Sequence, residues 1–248
     1  MEIEQGFLIP STLQPVGEGC TGANYAIVLI AGFSQRCVVK VAGEREIAAE
    51  CLCALLGDML KLPTLTPVIV TDPRNNTFWF GAREIEYPSL SSRLKIKDNA
   101  NMQQWQALAI ILSGWSQVGQ AISFDELIVN GDRNPGNILW NGQNFTLIDH
   151  ERSLGIQPKE INKLALFATN NFQSALTSKI QSASTSAAMA QQALLNVNSP
   201  MWADLSKKFS STPESIKSHY SQFEHLVKNN LQGLVNKAAD ALTPMFLR

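Results

Sequence analysis

Excess basic charge is missing from this sequence: 20 Lys and Arg stand against 21 Asp and Glu in 248 residues. A polyanion would find no electrostatic footprint on such a chain, so direct nucleic-acid binding is not expected. No apolar run approaches the roughly 18 residues that a membrane span requires. The opening residues MEIEQGFLIP are acidic where a secretion signal needs basic ones, and a soluble cytoplasmic protein is the resulting expectation. Cysteine is sparse: Cys20, Cys37, Cys51 and Cys53 form no CxxC pair and have no histidine nearby. That spacing suits neither a zinc site nor a disulfide scaffold, and the four read as reduced thiols. Charged residues make up 17% and apolar ones 45%, which argues against a largely disordered chain. The length suffices for one large domain or two small lobes.

What is present divides into two parts. NYAIVLIA (24–31) and RCVVKVA (36–42) are short and rich in β-branched residues, and GFSQ between them reads as a hairpin turn. GEREIAAECLCALLGDML follows, with Ile47, Cys51, Leu55 and Met59 recurring every four residues. That spacing predicts an amphipathic helix, ended near Lys61 by the approaching Pro63. TPVIVT and TFWFGARE are two further strand candidates around the turn DPRNN. Beyond them, 102–122 reads as one long apolar helix, and Ser123 with Glu126 has the pattern of a capping box. From Pro158 onward the chain is helical, broken at NSP and STP; Ser and Ala crowd 182–190, as in a solvent-facing helix or a mobile connection. The expectation is an α+β protein: a small β-rich lobe over 1–83, a connector over 84–100 and a helical lobe over 101–248. A cleft between two such lobes is a common place for a ligand.

Asp132, Asn137 and Asp149 are the residues that call for chemistry. Asn137 lies five residues after Asp132, and Asp149 twelve after Asn137. Between the last two, ILW and FTLI flank NGQN, an Asn-Gly hairpin signal. A hairpin there folds Asn137 and Asp149 side by side, two oxygen donors suited to a hard cation such as Mg²⁺. Asp132 stands on the preceding loop, placed to accept a proton from an attacking hydroxyl. The plainer alternative is a polar turn, since Asn, Gly, Asp and Pro all favour turns. The spacing matches the protein-kinase layout of a catalytic Asp, a metal-binding Asn five residues on and a second metal-binding Asp after a hairpin.

The rest of that layout lies upstream. Gly17, Gly19 and Gly22 form a G-x-G-x-x-G ahead of a predicted strand, a context that favours a phosphate cover over a dinucleotide fold; three glycines also make an ordinary turn. Lys40 interrupts the apolar strand VVKVA and is placed to reach phosphates, unless it merely faces solvent. Glu50 lies about 60° from Ile47 around the helix, at the margin of its apolar face, and is the chosen partner for Lys40. Glu44 and Glu46 suit the helix N-terminus electrostatically.

FDELIVNGDRNPGNILW followed by LIDH resembles the HipA-like branch of the protein-kinase-like fold, with a related Asp-Arg loop in phosphoinositide kinases; VVKVAGEREIAAECLCALLG resembles the same branch's lysine strand and glutamate helix. The likeness covers roughly 17–155. It implies a bilobal kinase fold and an ATP- and Mg²⁺-dependent phosphotransferase acting on a hydroxyl-bearing acceptor, a protein Ser or Thr. Asp132 would be the base, Asn137 and Asp149 the metal ligands, and Lys40 the phosphate contact, with Glu50 as its partner. The three glycines would line the phosphates. Arg133 matches the family's arginine and either anchors the loop or is a surface residue. Two departures stand out: Asn134 where the family often has His, and Glu151 where glycine usually follows the metal motif. Glu151 is similar to the Ile-Asp-x-Glu of aminoglycoside and choline kinases, although those usually carry His where Asn130 stands. A catalytically silent nucleotide-binding module is the competing class, disfavoured because Lys40, Asp132 and Asp149 are all retained. Thr21 is a candidate self-phosphorylation site, and His150 a packing or hydrogen-bonding residue. The sequence carries no signal for oligomeric state.

Overall fold

The computed structural model describes residues 1–17, 22–97, 99–159, 161–169 and 174–242. Its main sheet comprises β1 (Glu4–Leu8), β2 (Gln14–Pro15), β3 (Asn24–Ile30), β4 (Phe33–Val41), β5 (Pro67–Asp72) and β6 (Thr77–Arg83), in the order β1-β5-β6-β4-β3-β2. β1 also pairs with β3, which closes five strands into a barrel-like ring and leaves β2 outside on β3. The four strands expected from the sequence are all there. The β3–β4 turn is tighter than expected: Ala31 and Gly32 form it alone, both with positive φ, and Ile30 pairs with Phe33. β1 has no alternating pattern to announce it. It closes the ring because Gly6 permits a backbone approach in which a Cβ would lie 2.6 Å from Val28 Cγ1 and 2.9 Å from the Leu29 carbonyl oxygen. Leu8, Val28, Cys37, Val39, Val68, Val70 and Trp79 fill a cluster of their own in this sheet.

α1 (Glu44–Met59) departs from the amphipathic expectation, because it is buried nearly all round, from Ile47 through Gly57. Its outer flank meets α8 (Glu214–Lys217) and α9 (Tyr220–Leu231). The Arg45 guanidinium lies 5.8 Å from the centre of the Phe223 ring, and the Met1 ammonium pairs with Asp58 at 2.8 Å. A periodicity argument cannot see a partner more than 150 residues away along the chain.

The single long helix expected over 102–122 is two helices, α3 (Met102–Gly114) and α4 (Val118–Leu127), bent by 94°. Trp115 leaves the helix with extended backbone and is buried against Phe145, ring centres 4.7 Å apart. Burying that indole outweighs continuing the helix. Ser123 is no cap either: it sits within α4 and donates to Gln191 Oε1 at 2.8 Å, while the capping box of this region is Asn101 with Gln104. The connector contains a short helix, α2 (Leu90–Leu94). The remainder is helical as expected, with α5 (Lys163–Thr169), α6 (Ser174–Leu194), α7 (Met201–Ser210), and α10 (Leu234–Asp240) after α9. The Ser/Ala stretch of α6 is a largely solvent-facing helix with one packed edge: Ser184 and Ala188 are fully buried, and a Cβ on Gly119 of α4 would come within 2.7 Å of the Ser184 nitrogen. One large apolar cluster runs from Ile3 through α1 to Leu242.

Candidate active site

β7 (Ile138–Trp140) and β8 (Phe145–Leu147) form the hairpin expected from NGQN. Asn141 Oδ1 accepts from the backbone nitrogens of Gln143 and Asn144, which holds the turn. Asn137 enters the hairpin from a 3₁₀ turn (Pro135–Asn137), and its carbonyl accepts from Ile148 at 3.1 Å. That bond sets Asn137 next to the chain that carries Asp149. Asn137 Nδ2 donates to the Asp132 carbonyl at 2.9 Å, so the amide oxygen is the atom it has left to offer.

Lys40 projects from β4, opposite Phe80 in the sheet, with Nζ 5.5 Å from the centre of the Phe80 ring. Three carboxylates surround it: Glu50 Oε1 at 2.7 Å, Asp149 Oδ1 at 2.6 Å and Glu151 Oε2 at 2.9 Å. The Glu50 contact is a buried ion pair. Glu50 is completely enclosed by α1 packing, and its other oxygen accepts from the His150 backbone nitrogen at 2.9 Å, with His150 Nδ1 at 3.4 Å. Burial alone would lower the Lys40 ammonium's affinity for its proton, but the charges of Glu50, Asp149 and Glu151 overrule it and push the value up. Burial would raise Glu50; the Lys40 charge and the His150 contacts hold it well below the usual carboxylate range. His150 is kept neutral by burial and by the nearby Arg133 charge, in line with a packing role.

Asp132 belongs to a second cluster. Its Oδ2 accepts from Arg152 Nη1 at 3.0 Å and its Oδ1 from Lys163 Nζ at 2.6 Å. Beneath it, Arg133 is fully buried, paired with Asp125 at 3.1 Å and donating to the Ile148 carbonyl at 2.6 Å. Of the two readings of Arg133, the anchor is therefore the observed one: it ties the loop to α4 and to the strand leading into Asp149. Asn130, paired with Asp125 and accepting from the Asp132 backbone nitrogen at 2.9 Å, completes the brace. Val129, Asp149 and Leu154 all adopt left-handed backbone, at φ 55, 62 and 56. Such residues cost about 1–3 kcal/mol each and persist where their surroundings over-determine them.

Gly17 and Gly22 have φ of 77 and 63, which only glycine adopts freely, and the Val16 nitrogen donates to the Ala23 carbonyl to close a hairpin between β2 and β3. Asn24, two residues on, pairs with Val39, so this hairpin opens beside Lys40. Gly19, Cys20 and Thr21 lie outside the described residues. Cys37, Cys51 and Cys53 are free and buried, consistent with reduced thiols.

Of the expected site residues, Lys40 contacts both Glu50 and Asp149, and Asp132 touches Asn137. Arg152 and Lys163 went unnoticed at the level of sequence because nothing in their local pattern points to a loop 20 and 31 residues upstream. Glu50, Asp149 and Glu151 can each bring an oxygen within 4.8 Å of the others. Glu50 is committed to Lys40 and His150, which leaves Asp149, Glu151 and the Asn137 amide oxygen as donors of the kind a hard cation takes.

The described fold resembles the crystal structure of a Helicobacter pylori proinflammatory kinase, CtkA, with a TM-score of 0.60 over 94% of this chain and 96% of that one, at 12% identity. The chain has a kinase-like fold. The kinase domain of PknI from Mycobacterium tuberculosis aligns at a TM-score of 0.38, 14% identity, 87% of this chain and 95% of that one. No family model matches the sequence, and no curated protein matches it.

Proposed function

We propose that this protein is an ATP- and Mg²⁺-dependent kinase that transfers the γ-phosphate to a hydroxyl, with a protein Ser or Thr as acceptor by its HipA-like motifs. The observation that carries the reading is the joint placement of Lys40, Glu50 and Asp149 in one ion cluster with Asp132 on the adjoining loop, in a kinase-like fold. The β-rich part with α1 would act as one lobe and the helices as the other. The acceptor oxygen bonds to the γ-phosphorus as the bond from that phosphorus to the β–γ bridging oxygen breaks. The bond's electrons leave on ADP, and the hydroxyl proton passes to the Asp132 carboxylate. Lys40, oriented by Glu50, binds phosphate oxygens, and Gly17, Gly19 and Gly22 would bring backbone amides near them. Asp149, Asn137 and Glu151 fit Mg²⁺, which would neutralise phosphate charge when bound. Localisation in the cytoplasm is part of the same reading; no single helix among the described residues is long and apolar enough to cross a membrane.

A second reading rests on Glu151. Its contact to Lys40 suits the Ile-Asp-x-Glu pattern of small-molecule kinases, in which case a free alcohol replaces the protein acceptor. ATP turnover with Mg²⁺ by the wild type, beside Asp132→Ala and Asp149→Asn, tests the chemistry, and mass spectrometry of the protein afterwards reads self-phosphorylation. Turnover lost in both variants supports the kinase. Absence of Mg²⁺-dependent ATP binding by the wild type overturns it.

A further inference from the structure

We infer that Lys163, with Arg152 beside it, is the cation that contacts the transferring phosphoryl group in this chain, held on Asp132 until the nucleotide arrives. The inference rests on the kinase reading and names a residue which that reading leaves unassigned. A phosphoryl group in transfer spreads negative charge over its outer oxygens and needs a cation near the attacking hydroxyl. Two residues after the base, the loop offers Asn134, whose Oδ1 is occupied by the Gly136 nitrogen at 2.8 Å. Lys40 is buried and enclosed by three carboxylates. Among the described residues, the cations in contact with Asp132 are Lys163 and Arg152, whose side chains remain 36% and 41% exposed.

Their placement is built. Lys163 opens α5, and Asn162 just before it caps that helix by accepting from the Ala165 nitrogen at 3.0 Å. The buried Asn162 amide also donates to the Ile122 carbonyl and to Glu126 Oε1 on α4. Farther along α5, Phe167 stacks on Trp105 of α3. The lysine is thus aimed at Asp132 from a fixed helix start. The local charge does not balance: one carboxylate faces two cations, and Arg152 reaches Glu151 only at 3.9 Å. Half-exposed pairs of this kind stabilise a fold little, so the surplus positive charge is better explained by an anion that arrives later. A γ-phosphate draws the ammonium from Asp132 Oδ1, and that oxygen is then free to take the acceptor's proton. Arrival of the donor and readiness of the base become one event.

The test compares the wild type with Lys163→Met, Lys163→Arg and, as a control on an exposed pair, Lys217→Met. Calorimetry with Mg²⁺ gives the affinity ratio of ATP over ADP, and steady-state assays give kcat. Lys163→Met should lower the ratio by about tenfold or more and kcat by about 10²-fold, with an unchanged melting temperature. Lys163→Arg should recover most of both, and Lys217→Met should match the wild type. An unchanged ATP-to-ADP ratio in Lys163→Met overturns the inference while leaving the kinase reading intact. A rise in kcat overturns it too, since Lys163 would then be only a latch on Asp132. A wild type that binds ATP and turns nothing over brings the kinase reading into question, yet the affinity ratio still decides Lys163. No nucleotide binding at all removes both.

Discussion

Lys40 and Asp132 each sit in a cluster of opposite charges, but the two clusters are surrounded differently. Around Lys40 one cation faces three carboxylates, and its partner Glu50 lies on a helix buried on every side. Around Asp132 one carboxylate faces two cations whose side chains reach solvent. The first cluster is part of the frame: α1 cannot swing away without uncovering the apolar cluster it shares with α8 and α9. The second is loose enough to change partners. Within one site, burial fixes the residues that the proposed kinase reading assigns to phosphates, and exposure frees those it assigns to the reacting atoms.

The most damaging way to test this contrast is Lys40→Met. It leaves Glu50 charged, buried and unpaired, a situation that costs about 3–5 kcal/mol. Urea unfolding should show that loss, and ATP turnover should vanish with it. Adding Glu50→Gln should restore much of the stability and none of the activity. A single variant as stable as the wild type would show that Lys40 does not hold the frame.

The braced loop comes next. Arg133→Met should also destabilise by about 3–5 kcal/mol, because Asp125 becomes an unpaired buried charge and the Ile148 carbonyl loses its donor. Asp125→Asn with Arg133→Met should recover part of that cost, as the unfolding midpoints of the pair and the singles will show.

Much of this site was legible before any coordinates. Spacing placed Asp132, Asn137 and Asp149 around a hairpin, and strand order put Lys40 ahead of the Glu50 helix. These are local relations, set by turn chemistry and periodicity. The illegible parts are contacts between distant segments. Nothing within α1 announces that α8 and α9 cover its outer side. Nothing around Gly6 announces that Val28, on another strand, presses against it. The bend at Trp115 follows from Phe145 thirty residues later, and Lys163 finds Asp132 only because Asn162 pins α5 to α4. A regular pattern records what an element does alone, whereas the departures from it record what it packs against.

Acid should act on the buried cluster in two stages. His150 is buried neutral, its folded-state value below the usual one, so the unfolded chain takes up its proton first and stability falls as pH drops below about 6.5. Glu50 is also depressed when folded, to about 2; its contribution is fully present above the ordinary carboxylate value and is lost as pH falls from there toward 2. Urea midpoints between pH 7 and 3 should show both steps. His150→Gln should remove the earlier step and shrink the later one, because the imidazole also helps to hold Glu50 down, and a single late step in the wild type would contradict the assignment.

The smallest effect belongs to the exposed cluster. A double-mutant cycle on Asp132 and Arg152, using Asp132→Asn and Arg152→Gln, should give a coupling below about 1 kcal/mol in unfolding free energy, and less at high salt. A pair shared with Lys163 and open to water loses to solvent nearly what it gains from attraction. A coupling of several kcal/mol would mean that Asp132 is locked as firmly as Glu50. A carboxylate held that tightly could not release its cations to a phosphate, and the contrast between frame and moving part would fail at the residue where it matters most.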